Sequence, residues 1–120
     1  MKKANLFLAF LILFSISSIA NEREIVLGQG HYGHGNDQIY VEPPVVTYDD
    51  DLNELHVYFG STSSINIEYV DPSGTPYYYV YGENHAGYTS TTYYSLPAGY
   101  YTITIHSVYG YTYTGNFSVS

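Results

Sequence analysis

Asp49, Asp50, Asp51 and Glu54 crowd four carboxylates into six positions, the only dense acidic cluster in the sequence. Oxygen-rich clusters of this kind suit a hard cation, and Asp49, Asp51 and Asn53 alternate as ligands do in a calcium loop. Glu54, however, stands where an EF-hand loop requires glycine, and no helical pattern flanks the segment. A solvated hairpin turn is the favoured reading, with Asp49, Asp51 and Glu54 kept as the calcium candidates. His31 and His34, three apart in GHYGHG, raise the question of zinc. Zinc needs three or four convergent ligands, and no cysteine or carboxylate completes a set at suitable spacing. His85 reads as a loop residue, while His56 and His106 fall on polar strand faces.

Nucleophilic chemistry has even less to work with. The sequence holds no cysteine, no Gly-x-Ser-x-Gly elbow, and no lysine beyond Lys2 and Lys3. Paired carboxylates could serve glycoside hydrolysis, but short turns leave little room for a walled cleft. The expectation is no catalytic residue, no metal and no cofactor, with a small hydrolase as the remote alternative.

Seventeen tyrosines and no tryptophan are the strongest compositional bias. Phasing each tyrosine against its apolar neighbours points Tyr58, Tyr78, Tyr93 and Tyr100 outward, on two different sheets. Exposed tyrosines give rigid, amphipathic contact area at protein interfaces and sugar platforms. The competing account is cross-strand pairing with threonine and other tyrosines, which stabilises a sheet without binding anything.

These residues must be positioned by what lies outside the first twenty. MKKANLFLAFLILFSISSIA has a basic start, an apolar run over 6–14 and small residues at Ser18 and Ala20, the pattern of a cleaved signal peptide. The run is too short to be a comfortable transmembrane helix, so export and release into the periplasm or beyond are expected, with no membrane attachment after cleavage. Without Lys2 and Lys3 the chain keeps eleven carboxylates against Arg23 alone, a formal charge of −10. Such a chain cannot neutralise a phosphate backbone or dock on an anionic bilayer. One hundred residues make one domain, and without disulfides its packing must carry the stability.

From Pro44 onward the sequence alternates with a period of two. Leu55, Val57 and Phe59 alternate with His56 and Tyr58; Ile65, Ile67 and Tyr69 with Asn66 and Glu68; Tyr101, Ile103 and Ile105 with Thr102, Thr104 and His106. Turn residues fall between the runs: DDDLN, GSTS, DPSG, LPAG and SVYG. About seven strands predict an all-β, antiparallel sandwich, with a small closed barrel as the runner-up. Ahead of it, residues 21–43 read as one short strand over Glu24–Leu27 and a Gly-rich link, placing the domain at 44–120. Asp71-Pro72-Ser73-Gly74 predicts a type I turn with a glycine bulge at Gly74. That register sets Tyr69 opposite Tyr77, Ile67 opposite Tyr79 and Ile65 opposite Tyr81, turning Tyr78 and Val80 outward.

SLPAGYYTITI, Ser95 to Ile105, looks like the entry to a late sandwich strand, where a tyrosine packs inward and hydrogen-bonds nearby backbone. Tyr101 shares a face with Ile103 and Ile105 and takes that role, with Leu96 and Gly99 shaping the corner. Together with Glu24–Leu27, Pro43-Pro44, the 49–53 turn, Asp71–Gly74 and Gly115-Asn116-Phe117, the chain resembles a family of small secreted proteins of Bacteroidetes-type bacteria, carrying domain of unknown function 3244. The resemblance implies an immunoglobulin-like β-sandwich and brings no catalytic residues. A weaker likeness, through the LPAG-x-Y corner, is to sorting domains of the type IX secretion system. Those follow a large passenger and usually close with basic residues, and neither feature is expected here. The functional expectation is an exported, non-catalytic module that binds an envelope or extracellular protein, with a glycan as the alternative partner.

Overall fold

The computed structural model describes residues 22–31 and 40–120. The signal-peptide segment and His34 lie outside them. Nine strands follow in order: β1 (Glu22–Glu24), β2 (Gly28–His31), β3 (Val45–Asp49), β4 (Glu54–Phe59), β5 (Ser63–Val70), β6 (Pro76–His85), β7 (Thr89–Tyr94), β8 (Gly99–Ser107) and β9 (Tyr111–Val119). They form a four-stranded sheet, β1-β3-β4-β7, and a five-stranded sheet, β2-β9-β8-β5-β6, every pairing antiparallel.

The inner faces follow from side-chain alternation. In β4, Leu55, Val57 and Phe59 are fully buried, and in β8 Tyr101, Ile103 and Ile105 face them from the other sheet. Val46, Ile65, Ile67, Tyr113, Phe117 and Val119 complete a continuous core. Each such side chain removed from water contributes about 1.5–3 kcal/mol, which is how a chain without cysteine holds together.

The N-terminal segment departs from expectation. Ile25-Val26-Leu27 is not a strand but the crossing between two, β1 on the edge of one sheet and β2 on the edge of the other. The first four residues of the expected link are thus paired backbone, Gly28 to His31 against Thr114 to Tyr111. Ile25 is buried in the core and Leu27 packs against it. Arg23 clamps the crossing, donating to both carboxylate oxygens of Asp50 at 2.8 and 3.0 Å and to the Ser118 carbonyl at 3.1 Å. This strap closes the open side of the sandwich between β3 and β9.

The opposite side, between edges β6 and β7, is closed by aromatic rings. Tyr79 meets Tyr93 edge-on at 6.4 Å and Tyr101 at 6.3 Å, and His85 stacks on Phe59 at 4.4 Å. His85 is therefore not a loop residue; it ends β6 with its ring largely covered. Glu83 ties this side together, accepting from Tyr93 Oη at 2.7 Å with His85 Nε2 2.5 Å away.

The β5–β6 hairpin closes as the turn chemistry dictates. Gly74 N donates to Asp71 O, Asp71 N donates to Thr75 O, and Gly74 has φ of 91°. Asp71 Oδ1 accepts from the Ser73 hydroxyl at 2.6 Å and from the amides of Thr75 and Ser73, which holds the carboxyl below its usual range. Tyr69 pairs with Tyr77. Beyond that point two register shifts intervene, so Ile67 faces Val80 and Ile65 faces Glu83 instead of Tyr79 and Tyr81. Val80 packs against the core, and Tyr81 joins Tyr78 outside, their rings 4.8 Å apart. The physical cause is a pair of bulges ending at Gly82 (φ 64°), whose amide is taken up by the Asn66 side chain. Tyr77 and Tyr79 stay partly exposed because β6 overhangs the shorter sheet.

Candidate binding site

Antiparallel strands gather their connections at two ends. At one end the 50–53 turn, the 71–75 turn and the 95–98 corner meet. Asn53 joins two of them, accepting from Tyr48 Oη and the Leu96 amide and donating to the Leu96 carbonyl. Tyr101 lies here, fully buried, donating its hydroxyl to the Pro97 carbonyl and stacking on Phe117 at 5.0 Å. Burial drives its phenol pKa far above the usual value. Gly99 is required by contact, since a Cβ there would meet Val70 O at 2.5 Å and Tyr69 Cε2 at 2.6 Å. Leu96 is buried beside it. This end is built for packing.

The carboxylates belong to the same end and are individually engaged. Asp49 is buried and its Oδ1 accepts from the amides of Asp51 and Leu52; Asp50 holds Arg23; Glu54 lies 3.3 Å from His56 Nε2. Among the described residues no three histidine, cysteine, aspartate or glutamate side chains converge as metal ligands. Asp49 caps the turn's own amides but is buried rather than solvated, and Asp50 reaches out of the turn to Arg23 in β1.

The other end is different. The connections 60–62, 86–88 and 108–110 meet there with residues 40–42. Tyr88 N donates to Phe59 O at 2.7 Å, and Val108 N donates to Thr62 O at 3.0 Å. Ser61 Oγ and Ser107 Oγ lie 2.9 Å apart, and Ser63 Oγ donates to Ser61 O at 2.7 Å. Gly60 and Gly87 permit this closeness: a Cβ on Gly60 would fall 2.2 Å from Glu42 O, and one on Gly87 3.1 Å from Ser61 Cα. The loops are thus braced against one another, and between them lies a cavity of about 400 Å3. Tyr40, Tyr88 and Tyr109 rim it, exposed by 83, 77 and 48 %, with Glu42, Ser61 and Thr62 in its walls. Tyr88 holds a left-handed backbone, φ 60°, a conformation uncommon outside glycine and asparagine that concentrates at functional sites.

The four tyrosines picked out by sequence scatter. Tyr78 and Tyr100 lie exposed on the outer face of the five-stranded sheet: Tyr100 pairs with Val70, and Val70 with Pro76, two residues before Tyr78. Tyr58 lies on the outer face of the other sheet, its hydroxyl 3.3 Å from Glu42 Oε2. Tyr93 is a correction. It faces inward, packs against the core and bonds Glu83, with its phenol pKa raised far above normal by burial and by that carboxylate. β7 reads TSTTYY, with no aliphatic residue to phase it, so its register passed to the wrong face. The loop-end tyrosines escaped sequence reading because they sit in turns, outside any alternating run. Their sequence signal was composition: Gly-Ser-Thr, Ala-Gly-Tyr and Val-Tyr-Gly are the residue types of recognition loops.

Comparison with known proteins reaches the fold and stops there. A DUF3244 family protein from Bacteroides vulgatus, solved as an immunoglobulin-like β-sandwich, matches with a TM-score of 0.53 over 82 % of this chain and 99 % of its own. The chain has an immunoglobulin-like β-sandwich fold. Identity to that structure is 19 %, so the likeness carries architecture and not residue roles. No protein-family model and no curated protein matches the chain. In immunoglobulin-like terms β4 and β5 flank a B–C loop and β8 and β9 an F–G loop, the connections that form one end of such sandwiches.

Proposed function

We propose that this protein is an exported, non-catalytic recognition module of the bacterial envelope or exterior, and that it engages a protein partner with the loop end of its sandwich. One observation carries the reading: three hydrogen-bonded loops surround a cavity rimmed by three exposed tyrosines. Loops on a rigid scaffold are where sandwiches place recognition. Tyrosine among serine and glycine supplies contact area at low entropic cost. Mutual bracing means little ordering is left to be lost on binding. The export signal supports a partner outside the cytoplasm, and the lack of cysteine and of a Gly-x-Ser-x-Gly elbow in the sequence supports a binding role over a hydrolytic one.

The test is affinity capture from envelope and medium fractions with the mature protein and with a Tyr88→Ser/Tyr109→Ser variant. A partner retained by the first and lost by the second supports the loop end. Equal retention by both would place recognition elsewhere.

A second reading has its own observation. Tyr78, Tyr81 and Tyr100 lie on the outer face of the five-stranded sheet amid Asn66, Thr102 and Asn116, a hydroxyl- and amide-rich surface with exposed rings on which sugars can stack. On this reading a neutral glycan is captured and released by Tyr78→Ala, while Tyr88→Ser has no effect.

A further inference from the structure

Resting on the loop-end reading, we propose that the cavity takes the cationic side chain of an arginine or lysine presented by an extended segment of the partner protein. The walls specify this chemistry. Three phenol rings stand at the rim, and aromatic faces attract a cation held over them. Glu42 is the one carboxylate among the lining residues, and none of them is basic. Beside the site, on the outer sheet face, its carboxylate accepts only a neutral phenol, Tyr58 Oη at 3.3 Å. Among the described residues no lysine or arginine answers it, because Arg23 sits at the opposite end on Asp50.

Size and field agree with that occupant. A cavity of about 400 Å3 admits one long side chain with flanking backbone, and Ser61 and Thr62 offer hydroxyls to bond it. Eleven carboxylates against one retained cation give the exported chain a field that steers basic segments in and repels anionic ones. A neutral sugar could stack on the rings but would leave Glu42 without a countercharge.

The test is an NMR titration of the mature chain with a capped Gly-Arg-Gly peptide, a Gly-citrulline-Gly peptide of matching shape, and maltoheptaose. The arginine peptide is expected to shift the ring resonances of Tyr40, Tyr88 and Tyr109, and to weaken as salt is raised. Binding should fall by at least about fivefold in Glu42→Gln and in Tyr88→Ala, each confirmed folded by melting. Glu68→Gln, an exposed carboxylate on the outer sheet face, should leave it within about twofold. Equal binding of the citrulline peptide, indifference to Glu42→Gln, or the absence of loop-end shifts overturns the proposal. Loop-end shifts from maltoheptaose alone would also overturn it, assigning the cavity to a glycan. The loop-end reading fails separately, if capture of the partner survives the Tyr88/Tyr109 variant.

Discussion

Raising the pH should unfold this protein through its tyrosines. Tyr48, Tyr93, Tyr101 and Tyr113 all have phenol pKa values raised in the fold, with burial the largest cause in each. In the unfolded chain the same groups ionise near a pKa of about 10. The fold therefore binds protons that the unfolded chain releases. Its stability is full below about pH 10 and falls as pH rises. For Tyr93 and Tyr101, whose shifts are largest, the loss is about 1.4 kcal/mol per group per pH unit. The two together cost about 3 kcal/mol at pH 11 and about 5 kcal/mol at pH 12, which reaches the lower range of single-domain stabilities. Tyr48 and Tyr113 add to this in the same direction. The assay is tyrosinate absorbance against pH, followed in parallel with far-ultraviolet circular dichroism. Ionisation of Tyr48, Tyr93, Tyr101 and Tyr113 should be displaced to higher pH and coincide with loss of the sheets. One reversible step for all seventeen tyrosines, with the fold unchanged, would refute the burial argument.

Three further changes probe the packing. Tyr101→Phe keeps the rings stacked and removes only the hydroxyl bonded to Pro97; a loss of about 1 kcal/mol in urea unfolding is expected, and no loss would deny that bond a role. Gly115→Ala puts a Cβ 2.8 Å from Leu27 Cδ2 and 2.9 Å from Val26 O, so overpacking should cost about 1–3 kcal/mol and loosen the strap to protease. Arg23→Met removes a surface ion pair whose partners are 43 and 51 % exposed; a loss of no more than about 1 kcal/mol is expected, shrinking as salt rises.

What the sequence disclosed, and what it hid, follows from where periodicity operates. β4 and β8 carry apolar or aromatic residues at every second position, so their inner faces were readable, and so were the two-layer architecture and the inward Tyr101. The Asp71–Gly74 hairpin was readable because turn chemistry fixes its closure locally. β6 was not, since its bulges depend on Asn66 reaching across to the Gly82 amide, a tertiary contact. The strap was hidden for another reason. GQGH is paired along its backbone and has no apolar alternation to announce it, while Ile25 and Leu27, which read as a strand, are the plug between two strands. The loop-end cavity was least readable. Tyr40, Tyr88 and Tyr109 come from three separate connections, and only the packing of the two sheets brings them together.

The tyrosine excess divides accordingly. Tyr48, Tyr69, Tyr79, Tyr93 and Tyr101 interlock inside the sandwich and along its β6–β7 side, where they do the work of closure in a chain without disulfides. Tyr40, Tyr88 and Tyr109 make no such contribution to the core and stand at the cavity rim.

The central claim is that the loop end is the surface a partner meets. Hydrogen-exchange mapping of the captured complex tests it most directly. The account predicts slowed exchange over residues 60–62, 86–88 and 108–110, with the outer face of the five-stranded sheet unchanged. Protection confined to β6 or to the Tyr78–Tyr100 face, with those loops exchanging as in the free protein, would contradict it.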